Sequence, residues 1–477
     1  MVKRTSLIVM TVITIMIATA AVYFTVRTTR PKTSQTSTLA PPVYSPLFNL
    51  NERLGRHPYP RLFVQLQHYA PSEEMINEAA NWDLLVLDAE VILNRPEFLG
   101  SNGTILQINP HAVVLSYFSS SDVLPGHRET TTINGIFISG LDDGWYMKDV
   151  NGSRYLLLQL PDGNWSEMLN LTTEVNFYMA DYLNKAVIST GLTDGIFYDW
   201  VMENISWLNY RTNNPNAPLD INNDGLADLD DKLNSLWKNG TKTLLNNSRN
   251  IFPSGTLVVG NGGTIFDNTY KNVLNGRMLE GFLEGEAWGF GWLEVMRGHY
   301  LMHLVSVEPK VSLIMANGHQ NDFKKMRFAL ASTLMFDGYF CYTNYGAYQA
   351  TWWYDEYSVD ISTGAAVKSL KYKGYLGSPL SEAYNVDDRD EFLGISLISG
   401  EAAVEEKVWR RDFKNGIVLV NPSNSEKVVE LNGEYKKIKG IYDPFFNDGR
   451  ILSRIVLEPK SGVVLLRAWN NQTQKSF

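Results

Sequence analysis

Short apolar runs alternate with helical patterns along most of this chain. Eight β-rich runs recur at 61–69 (RLFVQLQHY), 83–91 (DLLVLDAEV), 112–118 (AVVLSYF), 195–200 (GIFYDW), 256–263 (TLVVGNGG), 276–282 (GRMLEGF), 311–318 (VSLIMANG) and 338–346 (GYFCYTNYG). Several are nearly continuous apolar stretches, as strands buried on both faces require. Helical spacing separates many of them. Ser72 is a suitable N-cap for SEEMINEAANW. Val175, Tyr178, Met179 and Leu183 recur at helical intervals, and NDFKKMRFALASTLMF precedes the eighth run. Eight strands alternating with helices over about 300 residues predict a (β/α)₈ barrel. An open doubly wound sheet is the alternative, but no run is followed by G-x-G-x-x-G. After about residue 369 the texture changes to short alternating strands (GIVLVNPS, KVVELN, SRIVLEPKSGVVLLRAW) with an Asn447-Asp448-Gly449 turn. That pattern predicts a small C-terminal antiparallel β-sandwich.

Three runs share an offset. The fourth residue after the glycine is Asp199 in DGIFYDW, Glu280 in NGRMLEGF and Tyr342 in FDGYFCYTNY. Strand side chains alternate, so Gly195, Phe197 and Asp199 share a face, as do Gly276, Met278 and Glu280. The same count places Gly338, Phe340 and Tyr342 together. On strands four, six and eight of a barrel, the three polar groups are expected to point inward at the carboxyl end, where active sites of this fold lie. Two inward carboxylates are suited to flank a glycosidic bond, one attacking the anomeric carbon or positioning water and the other donating a proton to the leaving oxygen. Retention with Asp199 as nucleophile and Glu280 as acid and base is expected, and inversion is the alternative. Structural roles are the alternative, Asp199 as a cap and Glu280 in an ion pair. Glu203, Glu284 and Glu286 are nearby competitors, and Glu284 is the main rival of Glu280. Asp88, Tyr117, Asn261 and Asn317 at other strand ends offer convergent polar groups for a hydroxyl-rich ligand. Tyr342, Trp200, Trp353, Trp352 and Trp288 are candidate contacts or stacking platforms.

The N-terminus carries a different signal. Lys3 and Arg4 precede an apolar-rich run at 7–26, about the length of a bilayer-spanning helix. An uncleaved membrane anchor at 1–27 is expected. A signal peptide cleaved near ATAA at 18–21 is the alternative. Residues 28–50 read as a Ser/Thr/Pro linker, 51–368 as the barrel and 369–477 as the β-domain. N-x-S/T sequons at Asn102, Asn151, Asn164, Asn170, Asn204, Asn239, Asn246 and Asn471 all follow the apolar run. This distribution predicts that everything after it is extracellular.

Composition narrows the function. The chain has 477 residues and a formal net charge of −9, which argues against nucleic acid as a partner. Its 12 Trp and 24 Tyr supply both core and potential sugar-stacking surface. The single cysteine, Cys341, excludes an intramolecular disulfide and reads as a buried small hydrophobe. His299 and His303 have helical spacing but no third zinc ligand nearby.

A cation-binding pattern occurs at 220–231 (DINNDGLADLDD). Asp220, Asn222, Asp224, Gly225 and Asp231 fit positions 1, 3, 5, 6 and 12 of an EF-hand-type loop. Asp228 fits position 9, and Leu226 offers its carbonyl at position 7. The spacing predicts structural Ca²⁺, stiffening the loop after Asp199. An Asx-rich solvated turn is the alternative.

Taken in order, DGIFYDW, DINNDG, VVGNGG, GRMLEGF, WWYDEYSVDIS and VWRRDFKNGIVLVNP resemble the glycosyl hydrolase-like barrel proteins similar to the endo-α-1,4-polygalactosaminidase group. The resemblance covers about 61–467. It implies a (β/α)₈ hydrolase with an Asp after strand four and a Glu after strand six, matched here by Asp199 and Glu280. The expected function is an extracellular glycoside hydrolase of a polysaccharide or surface glycan. A non-catalytic glycan-binding or cell-envelope protein on the same barrel is the alternative.

Overall fold

A computed structural model describes residues 50–125, 131–160, 163–262, 268–283, 291–344, 350–400 and 403–468. The expected anchor segment, nearly all of the linker, Glu284, Glu286, Trp288 and Asn471 lie outside these residues. Among the described residues no helix is long and apolar enough to cross a membrane.

All eight predicted runs form the strands of one closed parallel barrel. They are β1 (Arg61–Leu66), β2 (Leu84–Asp88), β3 (Val113–Ser119), β4 (Gly195–Asp199), β5 (Leu257–Asn261), β6 (Gly276–Leu279), β7 (Leu313–Asn317) and β8 (Tyr339–Thr343). Neighbours follow chain order, and β8 closes onto β1 through Arg61↔Tyr339 and Leu62↔Phe340. Every strand residue from Leu62 to Leu66 and from Leu84 to Asp88 is buried, which is why these runs lack alternation. Two apolar clusters divide the faces. Phe63, Val86, Leu115, Phe197, Val259, Met278, Met315 and Cys341 fill the barrel. Ile196, Tyr198, Val258, Leu279, Ile314 and Phe340 face the surrounding helices. The helix Leu50–Gly55 packs at the amino end of the barrel. Leu54 joins the interior cluster, and Arg53 pairs with buried Asp194 while donating to the Ala112 carbonyl at 2.6 Å.

The C-terminal β-domain is one six-stranded antiparallel sheet. Its strands are β9 (Tyr384–Asn385), β10 (Trp409–Phe413), β11 (Gly416–Asn421), β12 (Lys427–Lys437), β13 (Ile451–Leu457) and β14 (Ser461–Arg467), in the order β9-β10-β11-β14-β12-β13. Ile417, Leu419, Val463 and Leu465 form one buried cluster with Val429, Leu431, Ile455 and Leu457. Val418, Val420, Val464 and Leu466 face the other way and join the core around the barrel. A Cβ on Gly462 would lie 2.4 Å from the Ala331 side chain, so sheet and helix Phe323–Thr333 meet at contact distance. Arg411 donates to the Leu334 carbonyl at 3.1 Å and to Asp337 at 2.9 Å, just ahead of β8. Tyr59, ahead of β1, packs on Phe413. The β9–β10 side of the domain is therefore fastened to the amino end of the barrel.

Candidate active site

The interior face of each strand ends in a polar residue. Continuing the period of two from the apolar interior positions gives Gln65, Asp88, Tyr117, Asp199, Asn261, Glu280, Asn317 and Thr343 at the carboxyl end. Asp199 is the last residue of β4, and Glu280 follows the last residue of β6. Both are partly buried. Asn261, from the intervening β5, joins them. Its Nδ2 donates to Asp199 Oδ1 at 3.0 Å and to Glu280 Oε2 at 2.6 Å. These two carboxylate oxygens are thus no more than about 5.6 Å apart, the two lengths laid end to end.

Asp199 is held by further donors. The Tyr117 hydroxyl donates to Oδ2 at 2.7 Å, and the Trp200 backbone N–H donates to Oδ1 at 2.9 Å. The Tyr117 ring lies against Phe197, one interior layer down. Trp200 has φ 65°, a left-handed conformation uncommon for a bulky residue. That turn aims its N–H back at the carboxylate. Burial, reinforced by the charge of Glu280, pushes the Asp199 carboxyl up to about 7, against hydrogen bonds from Tyr117, Trp200 and Asn261 that favour its charged form.

The scaffold beneath the pair is ionic. Arg277 on β6 forms a buried ion pair with Glu203 and donates to the Val201 carbonyl at 2.6 Å. Val201 N–H donates to the Asn261 carbonyl at 2.6 Å. The loop after β4 is thereby tied to β5 and β6, the strands that carry the other two groups. Gly262 is required in this turn, because a Cβ there would lie 1.8 Å from the Val201 carbonyl oxygen. Glu203, a competitor on sequence grounds, serves this scaffold and does not face the cleft.

The other expected site residues divide. Asn317 is buried at the end of β7, and its Oδ1 has no hydrogen-bond partner among the described residues. The same holds for Oδ1 of Asn261 and Oε1 of Gln65. Buried amide oxygens left without donors are costly unless a ligand or water supplies one. Sequence reasoning missed Gln65, although alternation from Phe63 would have found it. Asp88 is buried and accepts from the Glu90 N–H at 2.9 Å. Glu90 caps the helix Ile133–Ser139 through the N–H groups of Ile133 and Asn134.

Tyr342 corrects the third echo. It belongs with Phe340 to the outer cluster, whereas Tyr339 and Cys341 point into the barrel. The glycines explain the slip. Cβ atoms at Gly195 and Gly276 would meet the first residues of β5 and the approach to β7, at Leu257 and Val311. A Cβ at Gly338 would meet His299 and Ile314 in the outer layer. The same offset therefore ends on the opposite face, with the Tyr342 hydroxyl beneath Gly318. Trp353 is likewise a core residue, edge-on to Trp82 and Tyr357. Trp200 is buried and its ring is stacked near Trp207. Neither ring is an open platform.

At 220–231, Asp220 accepts from the N–H groups of Asp224 (3.1 Å) and Gly225 (2.7 Å), the inner-loop bonding an EF-hand-type turn needs. Asp224 accepts from Asn222 and from Leu226 N–H, and Asp228 accepts from Ile221 N–H while pairing with Lys232 at 2.7 Å. Asp231 is exposed in the first turn of the helix Asp230–Ile251. Among the described residues no three His, Cys, Asp or Glu side chains are grouped to hold a metal ion. Lys232 is paired with Oδ1 of Asp228, the position-9 residue.

Comparison with known proteins places this geometry in context. No curated protein matches the chain. A variant of the glycoside hydrolase domain of PelA from Pseudomonas aeruginosa is 13% identical, covers 61% of this chain and 97% of its own, and has a TM-score of 0.36. Amy13B from Eubacterium rectale is 13% identical over 90% of this chain and 100% of its own, with a TM-score of 0.40. The alpha-galactosidase from Lactobacillus brevis is 11% identical over 89% of this chain and 57% of its own, with a TM-score of 0.44. Likeness at this distance says nothing of substrate. One sequence family matches directly, over residues 107–417, a stretch that contains β3 to β8 and both carboxylates. On that match the chain belongs to hypothetical glycosyl hydrolase family 15 and is a glycoside hydrolase.

Proposed function

We propose that the protein hydrolyses a polysaccharide or surface glycan with Asp199 as nucleophile and Glu280 as acid and base. The observation that carries this reading is the shared Asn261 donor, which draws the two carboxylates together at the carboxyl end of the barrel. A separation of about 5–5.5 Å suits retention through a covalent intermediate, and about 6.5–9.5 Å suits inversion. The bridge favours the first. Asp199 attacks the anomeric carbon as Glu280 protonates the departing oxygen. Glu280 then takes a proton from water, which displaces Asp199. Gln65, Asn261 and Asn317 supply amide groups for sugar hydroxyls.

A specific observation favours the exchange of roles. The raised carboxyl of Asp199 suits a resting proton donor. Its three donors, Tyr117, Trp200 and Asn261, suit an anion. Azide distinguishes the two: rescue of Asp199→Gly giving a glycosyl azide of inverted configuration supports Asp199 as nucleophile, and rescue of Glu280→Gly instead reverses the roles.

The same reading puts the barrel outside the cell, held by the 7–26 apolar run or released by cleavage. The sequon pattern supports it, since Asn102, Asn151, Asn164, Asn204, Asn239 and Asn246 are exposed. Calcium at 220–231 rests on the sequence spacing and on the Asp220 carboxylate accepting from the N–H groups of Asp224 and Gly225. The test of the whole proposal is a screen of the purified protein against neutral, acidic and amino-sugar polysaccharides. Turnover with retained anomeric configuration supports it. Binding without turnover across the panel would favour the non-catalytic alternative.

A further inference from the structure

The β-domain carries a second polar groove, of about 540 Å³, far from the carboxylate pair in the fold. It is lined by residues of β9, β10, β12 and the end of β14, on the side fastened to the amino end of the barrel. Three arginines converge there on one carboxylate. Asp412 lies 2.8 Å from Arg410, 3.8 Å from Arg467 and 4.0 Å from Arg389. The Tyr384 hydroxyl also donates to Asp412, at 2.7 Å. Asp412 neutralises one of the three charges. Glu430, also in the lining, is paired with Arg454. The lining carries three guanidiniums against the carboxylates of Asp412 and Glu430, an excess of one positive charge on a chain whose formal net charge is −9, with exposed Asp387, Asp388 and Asp390 flanking Arg389.

The arginines differ in how far the protein itself satisfies them. Arg410 is buried and fixed by Asp412, the Tyr435 hydroxyl and the Leu431 carbonyl, but its Nε has no acceptor among the described residues. Arg389 is 74% exposed at its side chain and donates to the Tyr384 hydroxyl at 3.1 Å. Arg467 is partly exposed and anchored on the carbonyls of Phe413 and Lys414. Leu380, 63% exposed, and the partly exposed Phe392 form an apolar edge beside them. A fixed guanidinium, two accessible ones and an apolar edge match a sugar ring that carries an anionic group.

We propose that this groove is a non-catalytic binding site for an acidic saccharide, whose carboxylate or sulfate is held by Arg389 and Arg467 against the Arg410–Asp412 pair while its apolar face rests on Leu380 and Phe392. The site does not depend on the catalytic reading. It would hold the enzyme on an anionic glycan while the barrel mouth works elsewhere on the matrix.

Calorimetry on the full-length protein in detergent tests it, with hexagalacturonate, a heparin-derived hexasaccharide, maltohexaose and inorganic sulfate as probes. At least one acidic hexasaccharide should bind, and maltohexaose should bind at least tenfold more weakly at the same site. The carboxylated and sulfated probes identify which anion is recognised. Arg389→Ala, an exposed position that leaves the core untouched, should weaken binding several-fold, and Arg389→Ala with Arg467→Ala by at least about tenfold. Glu280→Gln should leave this affinity unchanged, which separates the groove from the cleft. The proposal is overturned if neither acidic hexasaccharide binds, if maltohexaose binds as well, if inorganic sulfate alone binds as tightly, if the arginine variants bind normally, or if binding is lost in Glu280→Gln.

Discussion

Replacing Asp199 by Asn should make the protein more stable, and more so as pH rises. In the folded state the Asp199 carboxyl is raised from 3.8 to about 7, first by burial and then by the charge of Glu280. Between those values the folded protein binds a proton that the unfolded chain has lost, so stability falls as pH rises through the window. The group's favourable contribution is complete below about 4 and gone above about 7. Raising the carboxyl from 3.8 to about 7 sets a ceiling of about 4 kcal/mol, at about 1.4 kcal/mol for each tenfold change in proton affinity. Water at the open edge of the cleft reduces this, and about 2 kcal/mol is expected. The amide fits the same bonds. Its oxygen accepts from Trp200 and Asn261, and its nitrogen donates to the Tyr117 hydroxyl, which serves as donor or acceptor. Thermal melts of native and Asp199→Asn protein at pH 4.5, 6, 7.5 and 8.5 read the effect. The variant should nearly match the native protein at pH 4.5 and melt about 2 °C higher at pH 8.5. A pH-independent difference, or a variant less stable at pH 8.5, would refute the account of Asp199 as a carboxyl strained by burial beside a second carboxylate.

Other consequences follow from the same residues. With Asp199 as nucleophile, kcat/KM should fall as pH drops below about 7, while the exchanged assignment requires a fall above it; a pH–rate profile decides. Tyr117→Phe removes one donor to Asp199 and should lower kcat/KM about tenfold while moving that pH limb upward. Glu203→Ala removes the carboxylate paired with buried Arg277 and should cost about 3–5 kcal/mol in denaturant unfolding, with loss of activity through misplacement of both carboxylates. If calcium fills the 220–231 loop, chelator should lower the Tm of native protein and leave Asp224→Ala unaffected; an unchanged native melt shows an Asx-rich turn. Asn170 is buried and donates to the Ile221 carbonyl at 2.8 Å, so glycopeptide mapping should find it bare while exposed sequons carry glycan.

The sequence disclosed the barrel because its eight apolar runs are bounded by glycines and polar ends, and each run became a strand. It disclosed Asp199 and Glu280 because Gly195 and Gly276 both face inward, so counting by two from them leads to the interior. The count failed at β8, where all of Tyr339–Thr343 is buried and both faces end in a hydroxyl, Tyr342 on the outer and Thr343 on the inner, so the polar end does not mark a face. There Gly338 faces outward, toward His299 on the helix Trp292–Val305, where a Cβ would make tight contacts of 3.1 Å with His299 and 3.3 Å with Ile314. Trp353 was opaque for the same reason: an aromatic ring has the same letter in a core as on a sugar platform. Asn261 was visible as a polar strand end, but its bridge between two carboxylates depends on β5 lying between β4 and β6, a matter of closure. The Arg277–Glu203 clamp, 74 residues apart, has no local signature.

The central claim is that Asp199 and Glu280 act together on one glycosidic bond. The most direct measurement is the hydrolysis rate of native, Asp199→Asn and Glu280→Gln protein on a substrate found in the polysaccharide screen, each checked by its melt. The account predicts a loss of at least about 100-fold in each variant with the fold intact. A native rate in Glu280→Gln, with the loss appearing instead in Glu284→Gln, would contradict it.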